Sequence, residues 1–490
     1  MKKVLFFAFS VIYLTSCCNC AKNKAVVEKY FESIRDNAAE LTAFCARMPK
    51  GGDLHHHFSG SVYAETYISY VVAQNYFIDT INLRVDTFKR NVNCLQFSQL
   101  KGIVRYPKDT INYLSVFTQK LMQKWSVKDY NGVSYPSDKQ FFETFSGFGI
   151  ANNRLSRLEA GLLELKQRAI AENVSYIETM FTGIPADSIG TLDTNYNKKL
   201  TEAVRNHDTD LAWATLDKMY TGISEVRRKQ CADSFNRYLA DMHSRLKMDD
   251  SNFTMRYQNY VARVGKPADV FKNLIVCFES ANSCSLIVGV NIVAPEDNET
   301  SMRDYWLHML MFKYCHTKYK DVKYAMHAGE LALGMVKPEE RTWHINAAVR
   351  SAGANRIGHG VDLPHEYNSY DLLRYMAKNN VAIEINLYSN EFILKVKEGQ
   401  HPISLYRDFK VPIVICTDDA GVLRSDMTHQ YILLAQRYKN ISYAEIKQYV
   451  FNSIEYSFIE EPAVKQKLKA DLTVRFDRFE NMIAAIHPGK

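Results

Sequence analysis

Several absences narrow the reading before any motif is considered. Beyond the N-terminus the cysteines stand singly (Cys45, Cys94, Cys231, Cys277, Cys284, Cys315, Cys416), an odd number with no Cys-x-x-C pair. That spacing excludes a thiolate zinc knot and a dithiol redox motif, and leaves most of them as small buried hydrophobes. The lone Cys94 also rules out a disulfide internal to the region around it. Basic residues never form a run: 61 Lys and Arg are scattered among 54 Asp and Glu, for a net charge of +7. A nucleic-acid stripe is therefore not expected, and the excess reads as a solvated surface. No stretch after the N-terminus is long and apolar enough to cross a membrane, and no internal repeat or low-complexity tract occurs.

What is present begins with a targeting segment. Met1-Lys2-Lys3 is a short cationic start, Val4 to Leu14 an apolar run, and Leu14-Thr15-Ser16-Cys17 resembles a bacterial lipobox. The expectation is an exported protein anchored by lipid at Cys17, with residues 1–16 as the signal peptide. Residues 17–47 read as a helical extension, since Val26, Tyr30, Ile34, Leu41 and Phe44 recur near helical spacing. The remainder, 48–490, reads as one large domain with an insertion at about 78–139, too long for a simple connection and too apolar for a linker.

Within that domain, strand-like runs alternate with helical ones. The predicted strands are the His55 segment, Val174–Met180, Leu274–Phe278, Ser285–Val293, Val322–Met326, Arg356–Gly358, Val381–Ile385 and Val411–Cys416. Eight strands in this order predict an α/β fold of the (β/α)8 TIM-type barrel, with N-terminal helices and a helical insertion after strand 1.

Active residues of such barrels sit at the C-terminal strand ends. Strand one carries His55 and His57 on one face, because neighbouring residues of a strand point opposite ways. Strand five runs into His327-Ala328-Gly329-Glu330, strand six into Gly358-His359-Gly360, and strand eight into Thr417-Asp418-Asp419. An isolated His or Asp is usually a cap or a core hydrogen bonder, but four such endings at matching places indicate shared chemistry. His55, His57, His327 and Asp418 form a ligand set suited to a single Zn2+ with water in the open position. His359 is free to take or hold the water proton, Glu330 is placed as general acid, and Asp419 can bond the substrate. The aromatic group Phe141, Phe142 and Phe145 is either core or the wall of a flat substrate site.

These four motifs, in this order, resemble the adenosine deaminase family over roughly Met48 to Lys439. Met48-Pro49-Lys50-Gly51, the N-terminal targeting segment and the long early insertion are most similar to its secreted, growth-factor-type branch. The resemblance implies hydrolysis of the C6 amino group of adenosine or 2′-deoxyadenosine, yielding inosine or 2′-deoxyinosine and ammonia. It also implies that Glu330 protonates purine N1, that His359 handles the water and that Asp419 contacts N7. Three places depart from the family pattern, one of them the end of strand seven, where Leu387-Tyr388-Ser389-Asn390 stands for a Pro-Thr-Ser-Asn-like turn. Ser59 replaces an Asp that contacts ribose, and Ala294 replaces a Gly whose N–H meets the purine. Related readings are a deaminase of AMP or of an N6-substituted adenine, for which Lys101, Arg105 and Arg154 are candidate phosphate ligands, and a non-catalytic secreted signalling protein. A purine nucleoside is the expected partner, with no nucleic acid, and a homodimer is left open.

Overall fold

The computed structural model describes residues 23–488 apart from 101–112, 134, 153–154, 185 and 191–192. The targeting segment with Cys17, and the candidate phosphate ligands Lys101, Arg105 and Arg154, lie outside the described residues.

Eight parallel strands build the centre: β1 (Gly51–His57), β2 (Val174–Thr182), β3 (Thr254–Ala262), β4 (Ile287–Val293), β5 (Ala325–Ala328), β6 (Arg356–His359), β7 (Ala382–Ile385) and β8 (Ile413–Ile415). They form two four-stranded sheets, β1-β2-β3-β4 and β8-β7-β6-β5. Parallel bridges close both seams, Val290 with Tyr324 between β4 and β5, and His56 with Asp418 between β1 and the end of β8. The result is an α/β barrel of TIM type, as the strand order predicts.

One predicted strand is wrong. Leu274–Phe278 lies inside the Pro267–Ser283 helix, and the true third strand is Thr254–Ala262. The physical reason is burial on both sides in each case. Leu274, Ile275, Val276, Cys277 and Phe278 are all fully buried, because their helix is sandwiched between β3 and β4 and the flanking helices. A helix apolar all round loses its 3.6-residue signature. Strand β3 has the opposite disguise: it turns Arg256 and Gln258 into the barrel, where both are buried and hydrogen-bonded, so its sequence reads as polar.

The insertion is also not purely helical. Beside the Tyr113–Lys124 helix it contains a small antiparallel sheet, with Phe77–Asp79 between Val85–Asp86 and Cys94–Gln96. Directly after it, the Ser137–Asn152 helix brings its aromatic side chains to the C-terminal mouth of the barrel. Among the described residues no helix is long and apolar enough to cross a membrane.

Candidate active site

Strand β1 delivers two imidazoles to one place because it is extended. His55 and His57 face the barrel axis, while His56 turns outward and places Nδ1 3.0 Å from Thr179 Oγ1. Around the axis, ligand atoms of His55, His57, His327 and Asp418 all lie within 4.8 Å of one another. His57 Nε2 stands 3.0 Å from His327 Nε2 and 3.2 Å from Asp418 Oδ1, and His55 Nε2 is 3.4 Å from the same oxygen.

The outer partners say which nitrogens are free. His55 Nδ1–H donates to Glu384 Oε2 at 2.7 Å. His327 Nδ1–H donates to Asn291 Oδ1 at 3.0 Å, and that oxygen is identified by the Ile292 N–H it also accepts, at 2.8 Å. Both rings therefore turn an Nε2 lone pair inward, and His55 Nε2 is buried with no hydrogen-bond partner. Ser389 Oγ donates to Asp418 Oδ2 at 2.6 Å, leaving Oδ1 for the centre. Burial opposes the Asp418 charge, but His55 and His57 hold its carboxyl well below the usual range. Converging imidazoles and a carboxylate, with His55, His327 and Asp418 oriented from behind, fit a metal ion.

The reacting groups sit above this cluster. Glu330 follows β5 on a turn whose Gly329 and Glu330 N–H groups both donate to the Glu296 carboxylate, at 3.1 and 2.9 Å. Burial first, then the charges of Asp418 and Glu296, push its pKa well above the carboxylate range, which favours the protonated form. His359 is buried, which pulls its pKa down to about 3 and keeps it neutral. Burial and the adjacent Asp418 raise Asp419 as well. Two glycines make room. A Cβ at Gly60 would overlap the Asp419 carboxylate, and one at Gly358 would overlap the His55 ring.

All candidate substrate residues line one cavity of about 280 Å³. Phe141, Phe142 and Phe145 line it together with Ala294, Ser59, Asp419, Glu330 and His359. Three non-glycine residues here have left-handed backbone: Ala294 (φ 84°), His359 (69°) and Asp418 (65°). Such conformations persist only where surrounding structure enforces them.

Residues 251–473 match the family model described as "Adenosine deaminase". The adenosine deaminase of Aliivibrio fischeri is 31% identical over 150 residues, which is 30% of this chain and 41% of that protein. Residues 251–473 are thus similar to the adenosine deaminase family. The chain thus spans about two fifths of the length of that curated relative. Solved structures of similar fold include the N6-methyl-AMP deaminase of Arabidopsis thaliana (TM-score 0.55, 18% identity, 88% of this chain and 98% of that one). A zinc-bound amidohydrolase (TM-score 0.52, 16% identity) covers 91% of this chain and 94% of its own. The family model and the curated relative name adenosine deaminase without distinguishing a growth-factor-type branch.

Several supporting residues of this site carry no chemical motif in the sequence. Glu384, Glu296, Asn291, Ser389 and Asn390 orient the groups above, yet none falls in a His-rich or paired-acid motif. Glu384 did leave a signal: it is a lone charge in the apolar run Val381-Ala382-Ile383-Glu384-Ile385. A charge fully buried in a strand requires a partner.

Proposed function

We propose that the chain is a zinc-dependent hydrolase that deaminates adenosine and 2′-deoxyadenosine to inosine, 2′-deoxyinosine and ammonia. The observation that carries this reading is Glu330: a buried carboxyl whose protonated form burial favours, in an aromatic-lined cavity, beside four side chains that could hold a metal. Such an acid suits protonation of a ring nitrogen, the step that makes the ring carbon electrophilic.

Three imidazoles and one carboxylate are ligands suited to zinc, one ion per chain, and His55, His57, His327 and Asp418 would hold it. Bound there, it supplies Lewis-acid activation of water. The chain's own groups do the rest. The Phe141, Phe142 and Phe145 wall takes the flat purine. Glu330 gives its proton to purine N1, Asp419 bonds N7, the Ala294 N–H meets the ring, and Ser59 faces the ribose. His359 Nε2 attends the attacking oxygen.

A nucleoside is favoured over a nucleotide because no Lys or Arg is among the described residues lining the cavity. A phosphate dianion placed there would lack its usual partner. Steady-state assays of product release from adenosine, 2′-deoxyadenosine, AMP and N6-methyl-AMP test this. The expected order puts both nucleosides above both nucleotides in kcat/KM; faster turnover of either nucleotide overturns the nucleoside assignment.

A further inference from the structure

Beneath His359 runs a file of buried polar groups that the proposed reaction does not use. It starts at a backbone amide. Ile403 N–H points at His401 Nδ1 at 3.2 Å, and His401 Nε2 lies 3.0 Å from Asn390 Oδ1. Asn390 Nδ2 in turn lies 2.9 Å from His359 Nδ1, with Asn386 Nδ2 at 3.4 Å from the same nitrogen. Glu330 Oε1 is 3.6 Å from it, beyond hydrogen-bond reach. His401 is 3% exposed, and Asn386, Asn390 and His359 are fully buried, so water does not compete for these positions.

A peptide N–H can only donate, and this sets the direction of every later bond. His401 must offer a lone pair at Nδ1, so its ring proton is on Nε2. That proton goes to Asn390 Oδ1, which fixes the amide with Nδ2 toward His359. Asn390 therefore donates, and His359 Nδ1 accepts. We propose that His401 and Asn390 are positioning residues that set the tautomer of His359, which faces the cavity with an N–H at Nε2 and not a lone pair.

The unpartnered Nε2 of His359 then has a defined task. It donates a hydrogen bond to the oxygen adding to the purine ring, where negative charge develops, and keeps its proton throughout. The proton lost by the attacking water goes to the Glu330 carboxylate, which has just given its own proton to the ring. Protons balance without His359 acting as base.

The catalytic meaning rests on the deaminase reading; the tautomer does not. Nitrogen NMR of the full chain with 15N-labelled histidine reads it directly, with His359 and His401 assigned by substitution. Wild type should show the proton on Nε2 of both rings. Asn390→Asp replaces a donor with an acceptor, so His359 should move its proton to Nδ1. Removing one such donor typically costs ~10²–10³ in kcat, with KM changing far less. His401→Gln keeps an N–H for Asn390 Oδ1 and should retain most of kcat. A wild-type His359 protonated on Nδ1 overturns the proposal, as does Asn390→Asp with an unmoved tautomer and normal kcat. If the tautomer is as stated but wild type leaves adenosine unchanged, the relay stands and the nucleoside reading falls.

Discussion

Three non-glycine residues carry left-handed backbone at this site. His359 ends β6 and Asp418 follows β8 by three residues, where the chain turns to aim a side chain inward. Ala294 is another matter: its φ of 84° is one that glycine adopts freely and alanine does not. Strain of this kind costs ~1–3 kcal/mol, against ~0.4–1 kcal/mol for the extra unfolded-state freedom of glycine. Ala294→Gly should therefore stabilise the protein by about 1 kcal/mol, read as a higher melting temperature. A lower melting temperature would show that the alanine is unstrained. At this scale the sequence was most legible. His-x-His on a strand, and His327, Glu330, His359, Asp418 and Asp419 at strand ends, are brought to one cavity by backbone geometry alone. The supporting set was not legible, because His401 and Asn390 reach His359 through contacts across long chain separations.

At the scale of elements, the strands carry polar groups inward in linked pairs. Glu384 on β7 accepts from His55 through Oε2 and from Arg356 Nε on β6 through Oε1, at 2.7 and 2.5 Å. Arg356 continues to Glu178 on β2 at 2.6 Å. Removing the charge at Glu384 loosens the His55 ring and lowers its basicity. Outer partners of this type typically contribute ~10–100-fold in metal affinity. Glu384→Gln should show that loss in chelator competition, with Arg356 still paired to Glu178; unchanged affinity would contradict the role.

Strand β3 bears the same lesson and a pH dependence. Its Arg256 bonds Asp249, just before the strand, at 2.8 Å, with His243 Nε2 at 3.4 Å. Burial opposes the Asp249 charge, yet His243 and Arg256 outweigh it and lower the pKa to about 2. The group's stabilisation is present above the unfolded value of about 3.9 and is lost as pH falls through about 2. Asp249→Asn should melt below wild type at about pH 6, with the gap narrowing by about pH 3. A gap that holds constant would mean the carboxylate's charge is not the cause. The same inward polar pattern hid β3 from hydrophobic periodicity, while the buried Leu274–Phe278 helix imitated a strand. Both errors come from burial on two sides, which erases the amphipathic signal that periodicity reads.

For the whole molecule, barrel closure and the metal cluster share the same residues. His57 N–H donates to the Asp418 carbonyl at 3.2 Å, and Asp418 N–H donates to the His55 carbonyl at 2.9 Å, so the β1–β8 seam is sewn at three of the four candidate ligands. Their side chains meet because their backbones are paired. No local pattern in the sequence announces that register, although the eight-strand order does. The insertion illustrates the limit further: its strands are two or three residues long, too short to show alternation.

Glu330 is assigned as the proton donor of a deaminase whose metal would be held by His55, His57, His327 and Asp418. The decisive measurement is adenosine turnover and bound metal, determined together, for wild type, Glu330→Gln and His327→Ala. Glu330→Gln keeps shape and hydrogen bonding but has no transferable proton. It should retain wild-type metal while kcat falls by ~10²–10⁴, whereas His327→Ala should lose metal and activity together. Glu330→Gln with both metal and near-normal turnover would contradict the account, and loss of its metal would show Glu330 to be a ligand.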